Sequence, residues 1–529
     1  MSTTLFIYLV LVGILLVHVS AIDKFRAAVY EHKVIYPGSR SKVVTRQQAL
    51  IDMQKNLQIY QEQSMTASSK GARIIVFPEY GLYGLNWTRA SIRPYLEYVP
   101  EVTSTKWNPC DSPLKYPGID VQRNLSCIAK NASIYVVANI GGRQPCDKTD
   151  PNCPPDGHYQ FSTNVVYGSN GDFIARYFKF NLNSDENYFN KPVKPDLTTF
   201  ETPFGKFGTF SSSDILHFEP AVHLIKSLNI TNIAYPTAWQ DKLPLMAAIE
   251  FHSAFAEGMQ INLLAANLHI PQENYHGSGL YWPTGTSVNA SYYYNSQNQS
   301  SGYLIVEDMT PFVIPPNDRP SYRHDNLRLG SVQQMKEYQE QLHRKERDKT
   351  SKSIADTVPD ELDKIDITIN DDDYTALLLR GSYGQPTVCQ GKLCCSAGYE
   401  GSFAKDELYA IGAFDGMHTA GDSYYLQACV FIKCATKSRD SCGKPSTSSS
   451  SYMSKMSFSG NFTTEYVYPE VLTDQDGTPG LVTSAWLYQG SIIIDVGLYG
   501  GPLSISMISR DYSRDPRRIV NATKKTPRT

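Results

Sequence analysis

Two textures succeed one another along this 529-residue chain, and their order constrains its fold more than any single motif. From Ile22 to about Pro315, helical and strand-like apolar patterns alternate. Arg46–Ser68 repeats apolar residues at helical spacing beside a polar face. Short strand-like runs follow at Arg73–Phe77, Ser133–Ile140, Asn164–Tyr167, Phe173–Tyr177, Lys206–Ser211, Asn232–Tyr235 and Ile261–Asn267. Asn170-Gly171, between Tyr167 and Phe173, predicts a hairpin. Leu243–Gly258 reads as a buried helix closed by a glycine cap. Such alternation predicts an α/β domain over 22–315 with both sheet faces covered. Pro315-Pro316 and the charged run Gln333–Lys352 mark a change, so 316–364 is expected to be a solvated linker. Beyond it, short strand patterns with Gly, Ser and Tyr predict a smaller β-rich domain over 365–529.

The compartment is legible at the first residues. An apolar stretch from Leu5 to Val17 leads to Val19-Ser20-Ala21, which predicts a removed signal peptide over 1–21; the stretch is short for a bilayer span. The C-terminal RRIVNATKKTPRT lacks the hydrophobic tail of a lipid-anchor signal. A secreted, extracellular protein without a stable membrane anchor is expected. All 10 cysteines lie beyond the leader, and an even count in an oxidising compartment suggests disulfides. Cys146 and Cys153 flank a turn-rich loop and suit one another. Cys429 and Cys434 in CVFIKC would stand roughly 16 Å apart on a strand, beyond the ~7 Å reach of a bridge, so each needs another partner. Adjacent Cys394 and Cys395 are expected to point to different partners. Glycan acceptors occur at Asn86, Asn124, Asn131, Asn229, Asn289, Asn298, Asn461 and Asn521. A net charge of −3 gives no reason to expect nucleic acid as a partner, and no motif identifies a protein partner.

Three segments carry the chemistry. Glu79 follows a strand-like run and precedes a glycine-rich turn, where burial can make a carboxylate a base. Lys179 follows an aromatic strand, which alone suggests only a solvated end. Ser212 lies between the strand Lys206–Ser211 and a helix expected near Asp214; such a position favours developing negative charge, although a serine there is most often a cap. His158, His217, His252, His269 and His276 are scattered without ligand spacing, so no metal is expected, and His252 should be a hydrogen-bonded core residue. Ser211-Ser212-Ser213 could suggest a serine hydrolase, but no G-x-S-x-G elbow surrounds it, and with neither a phosphate loop nor a dinucleotide fingerprint no cofactor is expected.

In order along the chain, FPEYGLYG, YFKFNL followed by Glu186, and FGTFSSSDIL resemble the Glu–Lys–Cys signature of the nitrilase, or carbon–nitrogen hydrolase, superfamily. LSCIAKNASIYVVANIGGRQPCD, CPPDGHYQF, YPTAW, EFHSAFAEGM, GSGLYWP and VCQGKLCCS are similar to segments of its vanin and biotinidase branch. The resemblance implies an αββα sandwich followed by a β-rich, disulfide-containing base domain. It also implies hydrolysis of a linear amide, pantetheine in vanins and biotin amides in biotinidase, without metal or cofactor. Glu79 would then be the general base, Lys179 the stabiliser of the oxyanion and Glu186 the acid that orients the lysine. The nucleophilic cysteine's position is held by Ser212, and Tyr80 stands where vanins typically carry an aspartate. An alcohol is a far poorer nucleophile than a thiol, whose pKa near 8.5 is readily lowered. The expectation is weak or lost amidase activity with a cleft kept for a small-molecule amide ligand. The alternative is an active hydrolase using Ser212.

Overall fold

The computed structural model describes residues 24–309 and 364–516, apart from 104–105, 148, 284–288, 298–301, 483–484, 489, 495–496 and 499. The expected signal peptide, and the expected linker apart from Lys364, lie outside the described residues.

The first part is built on two sheets. One runs in the order Gly302–Met309, Phe25–His32, Ile74–Val76, Tyr135–Pro145, His158–Tyr167, Phe173–Phe178, with Glu97–Tyr98 also beside Tyr135–Pro145. The other runs Asn289–Tyr293, Ser278–Trp282, Asn262–Ala266, Asn232–Pro236, Gly205–Thr209, Thr199–Thr202. Three central strands of each sheet are parallel. Alternate residues divide between two cores, as the two-residue period of a strand demands. Ala27, Val29, Ile74, Val76 and Val137 meet Phe207, Ala234, Leu264 and Ala266 of the opposite sheet. Ala28, Tyr30, Ile75, Val136 and Ala138 face the helices Arg46–Ser69 and Asp120–Ala132. The first helix is the one expected; the Thr45 hydroxyl accepts from Gln48 N–H at 3.2 Å, and its buried stripe includes Ala49, Met53, Leu57 and Tyr60. The expected αββα sandwich is therefore present.

Among the described residues, the regular structure of the second part is strand apart from short 3-10 turns. Its larger sheet runs Lys364–Ile369, Asp372–Leu378, Tyr409–His418, Tyr424–Lys433, Pro502–Arg510, Val467–Gln475, Thr478–Leu481, and a second sheet packs on one face of it. Its other face packs on the helix Ala248–Met259, which also covers the second sheet of the sandwich. That helix is buried as expected, but it opens at Ala248, where Asp241 Oδ1 accepts from Ala248 N–H at 2.7 Å. Its left-handed cap is Gln260 at φ 56°, not Gly258. Gly258 serves close approach instead: a Cβ there would lie 2.6 Å from both Tyr468 Cδ1 and the Val467 carbonyl.

Five disulfides join Cys110–Cys127, Cys146–Cys153, Cys389–Cys394, Cys395–Cys429 and Cys434–Cys442. Cys146–Cys153 pairs as expected, and the cysteines of Cys394-Cys395 and CVFIKC each find separate partners. The hairpin at Asn170-Gly171 also forms, with Gly171 at φ 89°.

Candidate active site

Glu79, Lys179, Glu186 and Ser212 come together from four separate segments at one edge of the sandwich. The strand Ile74–Val76 ends and the chain turns sharply: Glu79 N–H donates to the Thr237 carbonyl at 3.3 Å, and Tyr80 takes φ 60°. Lys179 follows the last residue of Phe173–Phe178 and is anchored by its N–H on the Ser162 carbonyl at 2.9 Å. Glu186 stands in the following loop, its Oε2 accepting from Asn183 N–H at 2.6 Å. The four side-chain-bearing residues are only 0–3% exposed, so the charges interact in a medium that screens them weakly.

Glu79 Oε2 is the hub. It accepts from Ser212 Oγ at 2.5 Å and from Lys179 Nζ at 3.1 Å, while Oε1 accepts from Ser162 Oγ at 2.7 Å. Lys179 Nζ also donates to Glu186 Oε1 at 2.6 Å. Burial pushes Glu186 up to about 7, with Lys179 opposing and Glu79 reinforcing the rise. Burial acts downward on Lys179, but the carboxylates of Glu186 and Glu79 outweigh it and hold the ammonium above its ordinary value. The lysine therefore stays charged, able to stabilise negative charge developing beside it.

Ser212 is not the cap of a helix. The preceding strand stops at Thr209, the following turn Ser212–Leu216 is a short 3-10 helix, and the residue at its cap is Ser211. Ser212 itself sits in the left-handed region at φ 38°, a strained conformation for a residue with a Cβ. The strain is held by its surroundings. Tyr235 Oη donates to the Ser212 carbonyl at 2.7 Å, Ala238 N–H donates to Ser212 Oγ at 2.8 Å, and Thr237 Oγ1 lies 3.2 Å from the same oxygen. Asp214 fastens the turn, accepting from Asn181 N–H and Nδ2, from Tyr177 Oη and from Ser211 N–H at 2.7–3.2 Å.

Sequence reasoning missed the supporting polar residues. Ser162 and Asn164 share one face of His158–Tyr167, and Asn139 opposes Asn164 in the neighbouring strand. Asn139 Nδ2 donates to Ser162 Oγ and Asn164 Oδ1 at 3.0 and 3.1 Å. Their signal was faint: Asn139 interrupts the apolar run YVVANI, whereas Ser162 and Asn164 lie in HYQFSTNVVY, where polar residues are common. His252 corrects another expectation: it is buried, but neither ring nitrogen has a hydrogen-bond partner, and it packs instead against the rings of Tyr235, Trp239 and Tyr281. Burial accordingly lowers its pKa to about 3, leaving the ring neutral.

The sequence matches two family models, Carbon-nitrogen hydrolase over residues 42–253 and Vanin C-terminal domain over 364–493. It is 39% identical to pantetheinase of Mus musculus, covering 94% of this chain and 90% of that protein. Biotinidase of Mus musculus is 37% identical over 93% of this chain and 94% of its own length. Among solved structures, an amidase from Nesterenkonia sp. is 18% identical with a TM-score of 0.36, covering 54% of this chain and 90% of that one. With two carboxylates, a lysine and a hydroxyl joined on one sandwich edge, the chain belongs to the carbon–nitrogen hydrolase family, in its vanin and biotinidase branch.

Proposed function

We propose that this protein keeps the cleft of a linear-amide hydrolase, binds a small amide of the pantetheine or biotin-amide kind, and turns it over weakly or not at all. The observation that carries the reading is the hydroxyl of Ser212 standing 2.5 Å from Glu79, where the resemblance calls for a thiol. A carboxylate can draw a proton from a thiol but is a poor base for an alcohol, which holds its proton far more tightly. The rest of the constellation is in place, which supports a binding role. A second reading is favoured by the environment of Oγ. Ala238 N–H points at it, Thr237 Oγ1 lies beside it, and Lys179 shares its carboxylate partner, so negative charge developing on an attacking Ser212 oxygen has donors to stabilise it.

Five disulfides support an extracellular setting for this activity. Asn86, Asn131, Asn229 and Asn461 are exposed and Asn124 is half-buried, which supports glycan attachment at the exposed four. Asn298 and Asn521 lie outside the described residues, as does the side chain of Asn289.

The deciding experiment compares pantetheine hydrolysis and thermal melting of the wild type with Ser212→Ala and Ser212→Cys. The expected result is a wild type no faster than Ser212→Ala, turnover gained in Ser212→Cys, and a pantetheine-dependent rise in melting temperature in the wild type. Wild-type turnover abolished by Ser212→Ala would establish the second reading instead. Three silent proteins whose melting pantetheine leaves unmoved would sink both.

A further inference from the structure

Besides Ser212, Tyr80 is the position where the sequence leaves the pattern of its resemblance, and the structure gives this side chain a partner inside the site. Tyr80 follows Glu79 directly, is 1% exposed, and its hydroxyl donates to Glu186 Oε1. That oxygen is the one that also accepts from Lys179 Nζ at 2.6 Å, while Glu186 Oε2 takes Asn183 N–H. Lys179 Nζ lies 5.6 Å from the centroid of the Tyr80 ring, a cation–π distance, and the ring stacks on Phe189 with centroids 6.2 Å apart. Tyr80 N–H is fixed on Asn139 Oδ1 at 3.3 Å.

The lysine is shared between two buried carboxylates, at 2.6 Å from Glu186 and 3.1 Å from Glu79. If Glu186 turned away or took up a proton, Lys179 would settle on Glu79 and neutralise the base that Ser212 faces. A hydroxyl donating to Glu186 opposes both events, because a hydrogen bond to the ionised form favours it. We propose that Tyr80 is a positioning residue which fixes the Glu186 carboxylate and thereby holds Lys179 between the two glutamates. The catalytic consequence rests on the reading of the site above, whereas the coupling of Tyr80 to Glu186 does not.

Both parts are testable with the full secreted chain. Tyr80→Phe keeps the ring and removes only the hydroxyl. The hydroxyl's bond opposes the upward push of burial on Glu186, so without it Glu186 should hold its proton to higher pH than about 7. The loss in melting temperature should therefore grow as pH rises through neutrality, where the unsupported carboxylate ionises. The same substitution in a Glu186→Gln background should give a loss that is flat with pH. Equal, pH-flat losses in both backgrounds would overturn the proposal and leave Tyr80 a packing residue. In the Ser212→Cys background, Tyr80→Phe should lower kcat about tenfold with little change in KM, and move the acid limb of the kcat profile to higher pH. An active Ser212→Cys with an unmoved profile would refute Tyr80 alone. If Ser212→Cys hydrolyses nothing, the hydrolase reading fails, and the melting comparison still decides Tyr80.

Discussion

The Ser212 hydroxyl donates to the buried Glu79 carboxylate at 2.5 Å, and on the reading proposed above it takes the nucleophile's place while differing from a thiol in chemistry. The carboxylate is also prepared from its other side, where Ser162 Oγ donates to Glu79 Oε1 at 2.7 Å. A hydrogen bond to a charged group contributes about 1.5–3 kcal/mol, so Ser162→Ala in the Ser212→Cys background should lower kcat on the order of tenfold or more. Steady-state pantetheine hydrolysis measures this, and an unchanged kcat would mean that Ser162 does not hold the base. The four residues named from the resemblance could be picked out because each sits in a long, distinctive segment, and the fold brings them within hydrogen-bond reach of one another. Ser162 could not, since one serine in a strand has many bland uses and only the fold aims it at Glu79.

At the level of elements, the turn Ser212–Leu216 is set by Asp214 more than by helix propensity. All four donors to its carboxylate come from outside the 3-10 turn, and three of them belong to the segment that carries Lys179. Asp214 therefore ties the Ser212 turn to the lysine loop. Asp214→Asn would set an amide NH2 against groups that donate, leaving at least one buried donor unmatched at about 1–3 kcal/mol. The expected outcome is a lower melting temperature together with impaired Ser212→Cys turnover; a variant that melts like its parent would show that the turn is held otherwise. The sequence pointed to a helix beginning near Asp214, and a turn does begin there. It could not show the positive φ of Ser212, because backbone strain is imposed by surrounding contacts and leaves no trace in local pattern. Element ends misjudged from sequence have the same origin: Gly258 looked like a cap but is a contact surface.

The described residues stack as a helical layer, two sheets, a helix and two further sheets, and the helix Ala248–Met259 belongs to both halves. The change of texture along the chain foretold two parts, and the apolar run of this helix foretold its burial. What covers it was not legible, since tertiary partners are not written in local periodicity. The junction buries two carboxylates with serines as partners. Glu250 Oε1 accepts from Ser504 and Ser506 Oγ at 2.9 and 3.0 Å, and Glu470 bonds Ser253 and Val471 N–H. Burial pushes Glu250 up to about 7 and Glu470 well above its ordinary range, and the neighbouring charges that bear on them, Asp241 and Glu257, are also acids. An acid raised on folding binds, between its unfolded and folded pKa, a proton that the unfolded chain has released, so stability falls as pH rises through that window. For Glu250 the window runs from about 4.5 to about 7, which amounts to about 3 kcal/mol in full. Glu250→Gln carries no such proton. Its stability advantage over the wild type should therefore widen as pH climbs from 4.5 to 8, as read by denaturant unfolding at each pH. Parallel stability curves for the two proteins would mean that Glu250 keeps its charge at the junction, with a compensating cation or water reaching it.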